Sequence, residues 1–245
     1  MDEQAIITII TALQDDPMIA PTEMLPIEWS FLSLLDHHRG ARPQFLEQRL
    51  ADDPAFFREV IRAIFRSKHR DRVSEELSPQ QESLATNGYL LLNNWRTPPG
   101  MQRDGSYNGG ALAPWLEYVK ASSKESGHLE EALSMAGRVL IFVPPDPGGL
   151  WLHHAAAAAL DAKDADALRH GFQIGLFNRW GVYWINESAV GKEERELAQR
   201  YRSQADEIEL QGYLRLASSL QDLATSYERE AEREESRARS DDESV

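Results

Sequence analysis

Cysteine is absent from this 245-residue chain. Its absence excludes a disulfide framework, a thiol nucleophile and thiolate metal sites, and it fits a reducing cytoplasm. Long apolar runs are lacking too. The longest, around Ala155–Leu160, is mostly alanine and far too short to span a bilayer. The opening Met1-Asp-Glu-Gln is acidic where a signal peptide would be positive. A soluble cytoplasmic protein is the expectation. Positive charge is scarce, since 26 Lys and Arg face 40 Asp and Glu for a net charge of −14. Nucleic-acid affinity rests on cations that neutralise phosphates, so direct binding is not expected. Five lysines stand against twenty-one arginines, a bias that codon usage in a GC-rich bacterial genome produces. The basic stretch from Arg58 to Arg72 puts Arg58, Arg62 and Arg66 on one helix face, an ordinary solvated face.

Complete chemical motifs are missing as well. Gly191-Lys192 lacks the upstream glycine and the Ser or Thr of a phosphate loop. No Gly-x-Gly-x-x-Gly run exists, and Gly105-Ser106 does not supply a hydrolase nucleophile turn. The pairs His37-His38 and His153-His154 are adjacent. Neighbours on a helix point about 100° apart, whereas metal ligands there need i,i+3 or i,i+4 spacing. Half-buried histidines at a helix edge are the expectation, with no metal and no cofactor. Asp104 and Asp146 stand in Asp-Gly and Asp-Pro pairs, which make turns for structural reasons. No residue is assigned to catalysis, although catalytic groups could converge from distant positions.

What the chain does contain is amphipathic helix. Ile6, Ile9, Ile10 and Leu13 keep a 3.6-residue period over 2–14. A second helix is predicted over 22–38 and a third over 43–50. Asp53-Pro54 then opens one that carries Phe57, Val60 and Ile61. Ser78-Pro79 starts the next, followed by helices around Leu112–Val119, 127–143, 151–162 and 164–177. An αα-hairpin closes the series, 191–210 against 213 to about 235, around Gly212. The predicted class is all-α, an irregular array of about ten helices with this C-terminal hairpin. Helix pairs of this size suggest tetratricopeptide or HEAT arrays, but the tetratricopeptide signature is met at no register. Residues 1–70 read as an N-terminal helical subdomain, 71–235 as a helical array continuous with it, and 236–245 as a disordered acidic tail. The core is expected at Trp29, Leu32, Phe57, Ile61, Leu92, Leu116, Leu140, Phe177 and Leu220.

Two segments stand out as candidate surfaces. In 179–185 a short β-like insertion is predicted, whose alternation puts Trp180 and Trp184 on one side, Arg179 and Tyr183 on the other. Arg179, Trp180, Tyr183 and Trp184 have the composition of an interface centre and are the expected partner-binding residues. The second is the turn-rich connection between Trp95 and Trp115, fifteen residues from Arg96 to Gly110, long for a compact domain. Trp95, Arg96, Tyr107 and Trp115 are its candidate ligand-binding residues.

The runs Leu50-Ala-Asp-Asp-Pro-Ala-Phe-Phe57, Asn94-Trp-Arg-Thr-Pro-Pro-Gly100, Gly175-Leu-Phe-Asn-Arg-Trp-Gly-Val182 and Ser226-Tyr-Glu-Arg-Glu-Ala231 carry a resemblance that spans most of the chain. They resemble the helical C-terminal segment of large uncharacterised bacterial proteins, some associated with phage-defence or signalling loci. The resemblance implies no activity. It implies that the chain is one region of a larger polypeptide, with another domain as its partner surface. The functional expectation is a non-catalytic helical scaffold that contacts a protein partner or neighbouring domain. The alternatives are a helical enzyme or ligand-binding protein using the 95–115 loop, and an acidic regulator that blocks a nucleic-acid-binding partner.

Overall fold

Helix starts follow the capping chemistry of the sequence. The Asp2 carboxylate accepts from Gln4 N, and Asp53 accepts from Ala55 N and Phe56 N ahead of Pro54. Ser78 and Gln81 form a reciprocal capping box. The computed structural model is all-α and describes residues 2–35, 40–68, 78–179 and 191–242. Among the described residues the helices are α1 Glu3–Gln14, α2 Pro21–Ser30, α3 Gln44–Asp52, α4 Pro54–Ile64, α5 Pro79–Asn94 and α6 Leu112–Ser126. They continue as α7 Leu129–Val139, α8 His154–Asp161, α9 Asp166–Arg179, α10 Lys192–Leu210 and α11 Leu214–Asp242. Extended pairing among the described residues is the single antiparallel bridge between Met101 and Tyr107. No helix among them is long and apolar enough to cross a membrane.

Several boundaries differ from the periodicity. The second helix ends at Ser30, not near residue 38: Pro26 lies inside it and removes a backbone donor, and Phe31 leaves helical geometry at φ −118°. Leu32 and Leu35 are nevertheless buried, in the turn that follows. The α7 segment tightens into a 3₁₀ turn over Leu140–Phe142 before Pro144, because a residue preceding proline is pushed out of the helical region. Within the core prediction Leu32, Phe57, Ile61, Leu92, Leu116, Leu140 and Leu220 are buried. Trp29 is half-buried, and Phe177 is 51% exposed, one face stacked on Tyr227 at 5.6 Å. Arg179 is the last residue of α9, so the expected insertion does not begin there. Its remainder, 180–185, lies outside the described residues.

The chain divides into two compact units, Met1–Met135 and Ala136–Val245. The break falls inside α7 and not near residue 70. The reason is aromatic: Phe57 of α4 packs on Trp95 at 5.5 Å and on Trp115 of α6 at 4.9 Å, joining sequence from both sides of that position. Two fully buried glutamates organise this first unit. Pro43 precedes α3 and offers no side-chain cap, so the free N–H groups of Phe45 and Leu46 need another acceptor. Glu28 of α2 supplies it, accepting from Phe45 N at 3.1 Å, Leu46 N at 2.9 Å and the Gln14 amide at 2.6 Å. Glu47 of α3 in turn accepts from Arg96 N at 3.1 Å and the Thr97 hydroxyl at 2.9 Å, which fixes the chain leaving α5.

The second unit uses small residues and borrowed caps. A Cβ on Gly137 would meet Leu168 O at 2.0 Å, and one on Gly175 would meet Arg138 O at 2.8 Å, so α7 and α9 cross backbone to backbone. Asp161, at the end of α8, accepts from Arg215 N at 2.6 Å and Leu216 N at 3.0 Å, capping α11. The Arg169 guanidinium donates to the Leu160 and Ala162 carbonyls at 2.6 and 2.8 Å, closing the same C-terminal end of α8. The hairpin buries Ala198, Tyr201, Ala205 and Ile208 of α10 with Leu216, Leu220, Ala224 and Tyr227 of α11. Helix α11 continues to Asp242, through most of the tail expected to be disordered. Arg195–Glu235 and Arg202–Glu228 pairs brace the hairpin, and a nucleated helix of Ala, Glu and Arg propagates readily.

Burial pushes the Glu28 carboxyl up from its ordinary range, against the lowering pull of the Leu46, Phe45 and Gln14 donors; nearby Glu47 adds to the rise. A raised acid binds its proton more tightly folded than unfolded. Its stabilising contribution is complete below the unfolded value of about 4.3 and is lost as pH rises through the folded value. Denaturant unfolding across pH 4 to 8 is therefore expected to show wild type losing stability relative to Glu28→Gln as pH rises. A pH-independent difference would contradict a buried titrating carboxyl. Glu28→Ala, which orphans the α3 donors, is expected to cost about 3 kcal/mol at pH 4 and less as pH rises.

Candidate functional site

The aromatic pair expected to flank a ligand loop is instead core. Trp95 and Trp115 are both buried, their rings 6.0 Å apart beside Phe57, and the Trp115 indole N–H donates to Leu50 O at 3.2 Å. The loop closes over α3: Gln48 donates to Met101 O at 2.9 Å, and the Arg103 guanidinium lies 4.1 Å from the Phe45 ring centre. Thr97 to Gly100 are buried. Arg96 is exposed, holding Glu47 through its backbone N–H. Tyr107 is half-buried opposite Met101, and desolvation pushes its phenol up to about 12. The structure thus unites Trp95 with Trp115 but fills the space between them with protein. Of the expected partner-binding set, Arg179 ends α9, while Trp180, Tyr183 and Trp184 lie outside the described residues.

The turn that leads into α8 brings together Asp146, His153 and His154, a constellation that helical spacing does not predict. Asp146 N donates to Leu150 O at 2.8 Å and Gly149 N to Asp146 O at 2.9 Å, with Gly149 in the left-handed region at φ +96°. His153 N donates to Pro144 O at 3.1 Å. This folds the turn back, so that Asp146 lies against the start of the helix. One carboxylate oxygen accepts from Gly148 N at 2.7 Å; the other accepts from His154 N at 3.0 Å and meets His154 Nδ1 at 2.6 Å. These contacts hold the Asp146 carboxyl well below the usual range, the His154 backbone N–H contributing most, then that of Gly148 and then the imidazole.

The expectation that the two histidines diverge assumed that both sit on a helix. His153 is the N-cap, with extended backbone at φ −58° and ψ 136°, and its ring stacks on that of His154 at 4.2 Å. His153 is buried and His154 is largely exposed. The His153 Nδ1 accepts from Ala155 N at 3.1 Å, which requires the neutral ring, and burial followed by the adjacent His154 lowers its pKa. One ligand atom from each of Asp146, His153 and His154 lies within 4.8 Å of the others. The signal available in sequence was Asp146-Pro-Gly-Gly149, a turn able to carry an acid back onto a histidine pair seven residues on.

A further feature of the second unit is an open polar groove of about 390 Å³ between α9 and α11. Its cations Lys163, Arg169 and Arg215 are interleaved with Asp166 and Asp222, and Arg169 is committed to Asp166 and to the α8 carbonyls. The chain matches no protein-family model, no curated protein and no solved structure.

Gly100 shows most sharply that the 95–115 loop is a built element. It sits at φ +94°, and a Cβ there would meet Asn108 O at 2.4 Å. Gly100→Ala is expected to destabilise the protein by at least about 1 kcal/mol in denaturant unfolding. An unchanged midpoint would mean that the loop is free to rearrange.

Proposed function

We propose that this chain is a non-catalytic helical protein-interaction module, with the tip of the α10–α11 hairpin as a docking point. The observation that supports the reading is the placement of two leucines. Leu210 and Leu214 are 85% and 60% exposed on either side of one turn. The turn does not need them. Gly212 takes the left-handed conformation at φ +87°, while Gly212 N and Tyr213 N donate to Glu209 O and Ile208 O. Isolated exposed leucines are ordinary. A pair flanking half-buried Tyr213 on a braced hairpin is a rigid apolar projection, and apolar anchors that fill a pocket dominate interface energies.

Glu207 and Glu209 are exposed just before the turn, so the complementary surface is an apolar pocket with a basic rim. The aromatic set Arg179, Trp180, Tyr183 and Trp184 is a second contact surface proposed on composition. The test is titration of a partner recovered by wild type from its source cell against Leu210→Asp/Leu214→Asp and, separately, Tyr183→Ala. The leucine variant is expected to keep the wild-type melting temperature and to bind more weakly by about 2 kcal/mol or more. Unchanged affinity in that variant would contradict docking through the tip.

A further inference from the structure

The proposed docking point leaves the α8 turn unused, and that turn holds the described residues' one grouping of three side chains suited to a cation, Asp146, His153 and His154. We propose that these residues form a binding site for a divalent transition metal of the zinc class. The donor set, one carboxylate and two imidazoles, is the borderline N/O chemistry that suits zinc, nickel and copper over calcium or magnesium. Three protein donors leave at least one coordination position open to water or a further ligand.

The site is partly assembled. The Asp146 carboxylate and His154 Nδ1 already face each other at 2.6 Å, and the carboxylate is oriented by the Gly148 and His154 backbone N–H groups. Donor atoms of a tetrahedral zinc ion sit about 3 Å apart, so the cation enters between Nδ1 and the carboxylate, and the neutral ring that binds it carries its one proton on Nε2. The His154 side chain is 67% exposed and can turn out of its stack on His153 to bring both rings toward one ion. His153 is the third and weakest ligand, because coordination takes its lone pair or its tautomer away from the Ala155 N–H. The positive end of α8 also opposes a cation, and the Asp146 charge offsets it. An exchangeable site follows, not a structural one on which folding depends.

Calorimetric titration of the full chain with zinc chloride tests the inference. Wild type is expected to bind one zinc ion saturably. Asp146→Asn keeps the turn acceptor and removes the charge, His154→Ala removes the most exposed ligand, and His153→Asn keeps a capping oxygen. The first two are expected to weaken binding about tenfold or more, and His153→Asn to weaken it by less. Circular dichroism checks that each variant stays folded. No saturable binding in wild type, undiminished wild-type affinity in both Asp146→Asn and His154→Ala, or loss of binding only on substituting His37 and His38 would each overturn the site.

Discussion

A helix cannot begin inside a protein unless its first N–H groups find an acceptor, and that requirement shapes this chain more than any other. Pro43 leaves α3 without a local cap, and Glu28 reaches across from α2 to take its place. The carboxylate is fully buried and its desolvation is unfavourable, so it stays only because two backbone donors and the Gln14 amide converge on it. The same solution recurs where Asp161 caps α11 and, at a helix C-terminus, where Arg169 closes α8. Glu47 extends it to the chain beyond α5. Helix ends held by side chains from other segments fix relative positions in a way that a greasy stripe alone does not.

These borrowed caps mark where the sequence stops being legible. Local caps such as Asp2, Asp53 and Ser78 can be read from neighbours, and the helices they start are found with little error. Nothing near Glu28 says that its acceptor role lies seventeen residues away at Phe45. The length of the second helix was misjudged because Leu32 and Leu35 continue the apolar period while Phe31 ends the helix. A polar stretch near residue 70 looks like a boundary in sequence, yet Phe57, Trp95 and Trp115 pack across it.

The candidate sites follow the same logic. Tryptophans around a long loop can clamp a ligand or fill a core, and their packing on Phe57, which the sequence does not show, puts these two in the core. Adjacent histidines read as divergent because periodicity assigns both to a helix; one of them is the cap, and the cap is where helical geometry does not apply. The exposed leucines of the hairpin tip were invisible as a surface, since Leu210 and Leu214 simply bracket a turn in sequence. The proposed sites lie at helix ends and turns, the places where backbone requirements and side-chain chemistry compete for the same atoms.

Buried acids hold the backbone donors of this protein from a distance. Native-state amide hydrogen exchange reads those donors one N–H at a time. The Phe45, Leu46 and Arg96 amides are expected to exchange as slowly as the interior amide of Ile61 in α4. Exchange of these three at the rates of open, uncapped helix ends would contradict the claim that Glu28 and Glu47 hold the first unit together.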